Sequence, residues 1–287
     1  MDIGLAVALA VTLVIAVWLV IKNDLPDRQV QFEKNMASVV FEDENVKDIS
    51  DLKHRIHQLQ MDEYEDVIVG KALEDIRFVY VSEKDDPIPA GTSKIGGYPD
   101  MDNISGDNIR SLFLAQINCA ECKHEYMPGQ GMLYFFIDAV KMQQGAEDMV
   151  QCVYVRQPGK SERNATIGVP PLFEACRIHF FNAVSLPEYE SEWAENTFED
   201  YKKSAYFKLC NVNQCSKMFG YPMGISSVFD MEDGKTTLLL QLDSDESKNM
   251  LWGESGRLYV FIDTDKLKSC DFSQVRACIQ DYRQAEG

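Results

Sequence analysis

The sequence predicts an α+β fold: two similar β-rich halves produced by internal duplication, with flanking helices, preceded by an N-terminal transmembrane helix. Two observations lead there: an eight-residue block that recurs 125 positions later, and nineteen consecutive uncharged residues near the start. The third is composition. Of 287 residues 45 % are hydrophobic and 26 % charged, and 46 acids against 28 Lys and Arg give a net charge of −18. That apolar content supports a folded core and excludes a disordered or collagen-like chain. The negative excess argues against nucleic acid, whose phosphates need Lys and Arg to displace counterions.

Residues 1–22 read as a transmembrane anchor. The uncharged run 3–21 would span roughly 28 Å as a helix, close to the hydrocarbon thickness of a bilayer. A signal peptide is the competing reading, but Asp2 stands where a basic flank is wanted and no small-x-small cleavage pattern follows. No Lys or Arg precedes the run, whereas Lys22, Arg28 and Lys34 follow it. That asymmetry places the N-terminus outside and the soluble body in the cytoplasm, as a single-pass membrane protein.

Residues 23–72 read as a juxtamembrane linker with helices, one around 29–40. A second starts near Ser50, the expected N-cap, with Leu52, Ile56 and Leu59 at helical spacing and a weaker continuation through Val67, Leu73 and Ile76. Phe78 and Tyr80 begin the first strand. The repeat follows, within a domain expected over 73–287. Gly-Met-Leu-Tyr-Phe-Phe-Ile-Asp at 131–138 returns as Gly-Arg-Leu-Tyr-Val-Phe-Ile-Asp at 256–263, identical at six of eight positions. Phe-Leu-Ala-Gln-Ile-Asn at 113–118 matches Leu-Leu-Leu-Gln-Leu-Asp at 238–243, and Ser-Lys-Ile-Gly-Gly-Tyr-Pro at 93–99 matches Ser-Lys-Met-Phe-Gly-Tyr-Pro at 216–222. Three blocks in one order define repeat 1 at about 93–185 and repeat 2 at about 209–280. The Leu-Tyr-x-Phe-Ile blocks are apolar on both alternations, as central strands covered on both sides are. Residues 150–155 and 177–182 add strands, and 191–208 is long enough for a helix.

Taken together, SKIGGYPDM, FLAQIN, PGQGMLYFFID, LLLQLDSD, WGESGRLYVFI and DFSQV resemble the YwqG-like family of bacterial proteins, over roughly residues 73–280. The resemblance implies an α+β fold with two similar β-rich halves. It implies no reaction, since the family has none established, and some members look like immunity proteins associated with secreted toxins. The chain departs from the family after Pro99, where Asp102-Asn-Ile-Ser stands in place of a Trp-Pro pair, and in carrying an anchor.

Few residues suggest chemistry, and no catalytic residue or cofactor is indicated. Cys119-Ala-Glu-Cys122 could form half a zinc site with Cys210 and Cys215, but the loose spacing favours small buried thiols and no metal. Cys152, Cys176, Cys270 and Cys278 receive the same reading. Asp243 and Asp245 end a strand, where acids commonly cap turns; with Trp252 they are the place to look for a groove. Gln116 and Gln241, matched amides in apolar strands, are expected to tie strand to loop or, alternatively, to contact a ligand. Neither GxSxG, HExxH nor a phosphate loop occurs. The six acids between positions 188 and 200 form a solvated face or a surface for a basic protein. The functional expectation is a membrane-anchored, non-enzymatic protein-binding module, with an immunity or protective role as its most specific version. The alternative is a small-molecule or divalent-metal enzyme using a cleft between the halves.

Overall fold

The computed structural model describes residues 45–81, 88–101, 111–158, 171–210, 216–225, 229, 231, 234–253 and 255–281. The expected anchor at 3–21, the helix around 29–40 and Cys215 lie outside the described residues. Among the described residues no helix is long and apolar enough to cross a membrane.

The fold is mixed α and β, built on a ten-stranded antiparallel sheet that nearly closes on itself. Helix α1 (Ile49–Gln58) buries Leu52 and Ile56 as their spacing predicts. Its N-cap is Asp48, not Ser50: the Asp48 carboxylate accepts from the Asp51 N–H at 2.9 Å. A carboxylate at this position also complements the positive end of the helix. After α2 (Glu65–Val69) comes β1 (Leu73–Val81), so Leu73 and Ile76 belong to a strand rather than to a helix. Their apolar spacing fits either period over so short a run, and pairing on both edges of β1 decides for the strand. Next come β2 (Lys94–Ile95), β3 (Ser111–Asn118), β4 (Met132–Asp138), α3 (Ala139–Gln143), β5 (Val150–Val155) and β6 (Cys176–Ser185). The segment 191–208 forms two helices, α4 (Glu192–Thr197) and α5 (Asp200–Cys210), because Phe198 between them is extended and buries its ring. The chain closes with β7 (Ser216–Phe219), β8 (Thr236–Asp243), β9 (Arg257–Asp263), α6 (Thr264–Lys268) and β10 (Val275–Gln280).

The strand order is β10-β9-β8-β7-β1-β6-β2-β3-β4-β5. Registers on the two sides match residue for residue. Phe113 faces Phe136 with a bulge before Ala115, and Leu238 faces Phe261 with a bulge before Leu240. Ile137 faces Val150 as Ile262 faces Val275. Asp138 caps α3 and Asp263 caps α6, each accepting from two backbone N–H groups. The inner sheet face buries one apolar core drawn from both sides, including Phe78, Leu133, Phe135, Leu240, Leu258 and Val260. Helices α1, α2, α4 and α5 cover a second core with Val184 and Leu186. At the seam the Ala277 N–H donates to Glu147 O at 2.7 Å, and the Tyr154 and Phe272 rings lie 5.6 Å apart.

Candidate functional site

Directly opposed residues of antiparallel strands share a face. The registers therefore line up Arg177, Lys94, Gln116 and Tyr134 across four strands, and Arg77, Lys217, Gln241 and Tyr259 across four others. Each row contains a fully buried lysine and a fully buried glutamine. A buried ammonium without a counter-charge is strongly unfavourable, so each lysine must find an acid.

The two rows meet that demand differently. In the first, Lys94 Nζ reaches Asp100 Oδ1 at 2.7 Å. Gln116 donates to Asp100 Oδ2 and to Thr92 O, both at 2.8 Å, and accepts from the Asp100 N–H at 2.8 Å. Tyr134 OH donates to Asp100 O at 2.7 Å. Burial would raise the Asp100 carboxyl, but Lys94 and the surrounding donors outweigh it and hold it below the usual carboxylate range. In the second row Met223 replaces Asp100. Gln241 accepts from the Met223 N–H at 3.0 Å and Tyr259 OH donates to Met223 O at 2.5 Å. Lys217 takes its acid from β1: its Nζ lies 3.0 Å from Asp75 Oδ2. Arg77 donates to Asp75 Oδ1 at 3.2 Å, to Val184 O at 3.2 Å and to Asn45 Oδ1. Burial pushes Asp75 up, yet the Lys217 and Arg77 charges carry it below the ordinary range.

Beyond the second row, Asp243 takes the place that Asn118 holds beyond the first. Its Oδ1 accepts from Arg257 Nε at 2.8 Å and from Gln241 Nε2 at 3.2 Å, while its Oδ2 is buried without a partner. Desolvation raises its pKa against the pull of Arg257. The Asp243 N–H donates to Ser216 Oγ at 3.1 Å, and Tyr80 OH lies 2.8 Å from the same Oγ. Asp245 is a turn cap: Oδ1 accepts from the Ser247 N–H at 2.9 Å, and Oδ2 holds Lys248 Nζ at 2.7 Å. Lys248 Nζ also sits 5.0 Å from the centre of the Tyr80 ring. Trp252 is buried in the inner core against Phe173, and its Nε1 has no partner. The arrangement offers one free carboxylate oxygen, a hydroxyl pair and a tethered ammonium.

Of the residues singled out from sequence, Gln241 and Asp243 come together. Gln116 lies on β3, five strand positions from β8, and serves the opposite row. Both glutamines tie strand to loop. Cys119 and Cys122 are buried in the inner core, with Cys122 Sγ 3.7 Å from Met218 Sδ, whereas Cys210 belongs to the helix-covered region. The fold thus does not bring Cys210 to the other pair. Burial pushes the Cys119 thiol up to about 11 and Cys210 up to about 12. Cys270 departs from expectation: it is exposed, because it follows α6 in a left-handed turn with φ 57°. Among the described residues no group of three His, Cys, Asp or Glu could hold a metal ion. Sequence reading missed Lys94 and Lys217, although Ser-Lys is identical in both copies. It also missed Asp75, Arg77 and Arg257, which no repeated block marks.

The class these features define is a nearly closed antiparallel sheet whose two sides repeat register, caps and buried lysine–glutamine rows. The chain belongs to the family described as a domain of unknown function, DUF1963, whose model matches residues 93–280. No curated protein matches the chain.

Proposed function

We propose that the chain is a binding module rather than an enzyme: a YwqG-like member of this family, internally duplicated, that recognises a basic protein partner in an immunity or protective role. In this reading residues 3–21 hold it in a lipid bilayer, N-terminus outside and soluble body in the cytoplasm. The matched registers and offset blocks support the duplication. The observation that carries the binding role is one acidic, aromatic-bearing segment, residues 189–207. Glu190, Glu192, Glu195, Glu199 and Asp200 are exposed along it, as are Tyr189, Tyr201 and Phe207, and Tyr201 is 68 % exposed. Nearby cations are largely engaged, Lys203 with Glu195 and Asp200, and Lys202 with Glu63. Acidic potential steers cationic proteins, and exposed aromatics give them apolar area to bury.

A pull-down tests it. A partner retained at low salt, released at high salt and lost with Glu192→Lys/Glu199→Lys is expected; no partner at either salt sinks the reading. A cysteine introduced on the body should resist labelling from outside intact cells.

The second reading, a small-molecule or divalent-metal enzyme, draws on the unpartnered Asp243 Oδ2 and Trp252 Nε1. Turnover lost on Asp243→Asn with stability retained, or metal in the purified protein, would favour it.

A further inference from the structure

We infer that the two repeats are mutually completing halves, each presenting a docking edge for the first strand of the other, and that the Asp75–Lys217 ion pair decides which strand fits. The inference rests on the duplication proposed above. The registers match Arg77 on β1 with Arg177 on β6, so β6 opens the second unit instead of closing the first at residue 185, as the recurring sequence blocks alone suggest. In chain order the repeats are then β1–β5 and β6–β10. In space β1 pairs with β7 and β6 pairs with β2, so each repeat surrenders its first strand to its sibling's sheet. The exchange is reciprocal in register: Lys217 faces Arg77 as Lys94 faces Arg177.

Backbone geometry is shaped to receive the incoming strand. Gly97 and Gly220 stand at matched positions with φ 68° and 67°. A Cβ on Gly220 would lie 2.8 Å from Asp75 Cβ and 2.2 Å from Ser185 Oγ, and one on Gly97 would lie 2.7 Å from Ala175 Cβ. Each glycine therefore makes room for residues at or beside the strand that arrives from the other repeat.

The two docking edges are not interchangeable. The register that matches Arg77 with Arg177 also matches Asp75 with Ala175. A β6 strand docked beside β7 would set Ala175 where Asp75 now stands, leaving Lys217 buried without its acid. Lys94 has no such need, since Asp100 comes from its own repeat. The chemistry thus selects unlike halves: the second repeat accepts β1 and rejects a copy of its own first strand. Strand addition of this kind takes affinity from main-chain bonds and specificity from side chains. The DUF1963 match, which begins at residue 93, leaves out the very strand that completes the second repeat.

The test uses the full chain with a protease site inserted between residues 158 and 171, cleaved after folding. The halves are expected to co-elute one to one and unfold in a single transition. After denaturation and separation, the second half alone should stay unfolded, and mixing should restore the complex. Asp75→Ala should weaken re-association by at least about tenfold, and Asp75→Ala/Lys217→Met should recover it. If the uncut Asp75→Ala chain does not fold, Asp75→Asn is read in its place against the same criterion. A second half that melts cooperatively by itself, or association indifferent to Asp75, overturns the inference and leaves the duplication standing.

Discussion

At the scale of single residues, buried polar groups are tied both to backbone and to one another. Gln116 and Gln241 each satisfy a loop N–H, that of Asp100 fully buried and that of Met223 partly so. Gln116→Leu or Gln241→Leu strands that donor and should cost about 1–3 kcal/mol in urea unfolding. Acids differ in the sign of their pH dependence. Asp75 and Asp100 have depressed pKa values when folded, so their stabilisation is present above the ordinary carboxylate pKa of about 4 and lost as pH falls through their folded values. Asp243 is raised, so its contribution is present at low pH and lost as pH rises through its folded pKa. Melting temperatures from pH 6 down to 3 should therefore fall, and Asp100→Asn should flatten that slope, whereas Asp243→Asn should steepen it.

Among elements, turns separate tolerance from intolerance. Gly220→Ala meets Asp75 and Ser185, while Gly145→Ala, at a similar φ of 65°, meets nothing within 4 Å. The second should cost about 1–2 kcal/mol and the first distinctly more, by parallel thermal melts. Phe219 shows what such a position can hold. It has φ 65° where the first copy has Gly96 at 63°, and its ring stacks on His124 with centroids 3.9 Å apart. Legibility from sequence followed the same division. Strands β3, β4, β8 and β9 were readable because both alternations are apolar and the blocks recur. Leu73 and Ile76 read as helix from sequence because three apolar residues over ten positions suit a helix as well as a strand. The glutamine ties were readable because a buried amide has to bond. The lysines of the same rows are not, since a Lys in a strand of two or four residues looks like surface until its partner strands are known. Asp75 lies 142 residues from Lys217, and nothing local announces their pairing.

For the molecule as a whole, the inner core belongs to both sides of the sheet and the seam closes it. Phe272→Ala removes the ring that meets Tyr154 and should cost about 3–5 kcal/mol. Amide exchange at Ala277, whose N–H bonds across the seam, should accelerate more than at Tyr259, deep in the sheet. The order of strands reads alike from either edge, with β1 and β6 side by side in the middle. That palindrome has an evolutionary consequence. A heritable change in one copy's opening strand is judged by the other copy's lattice, so natural selection cannot act on the copies one at a time. Drift should run crosswise, β1 in step with β7 and β6 in step with β2.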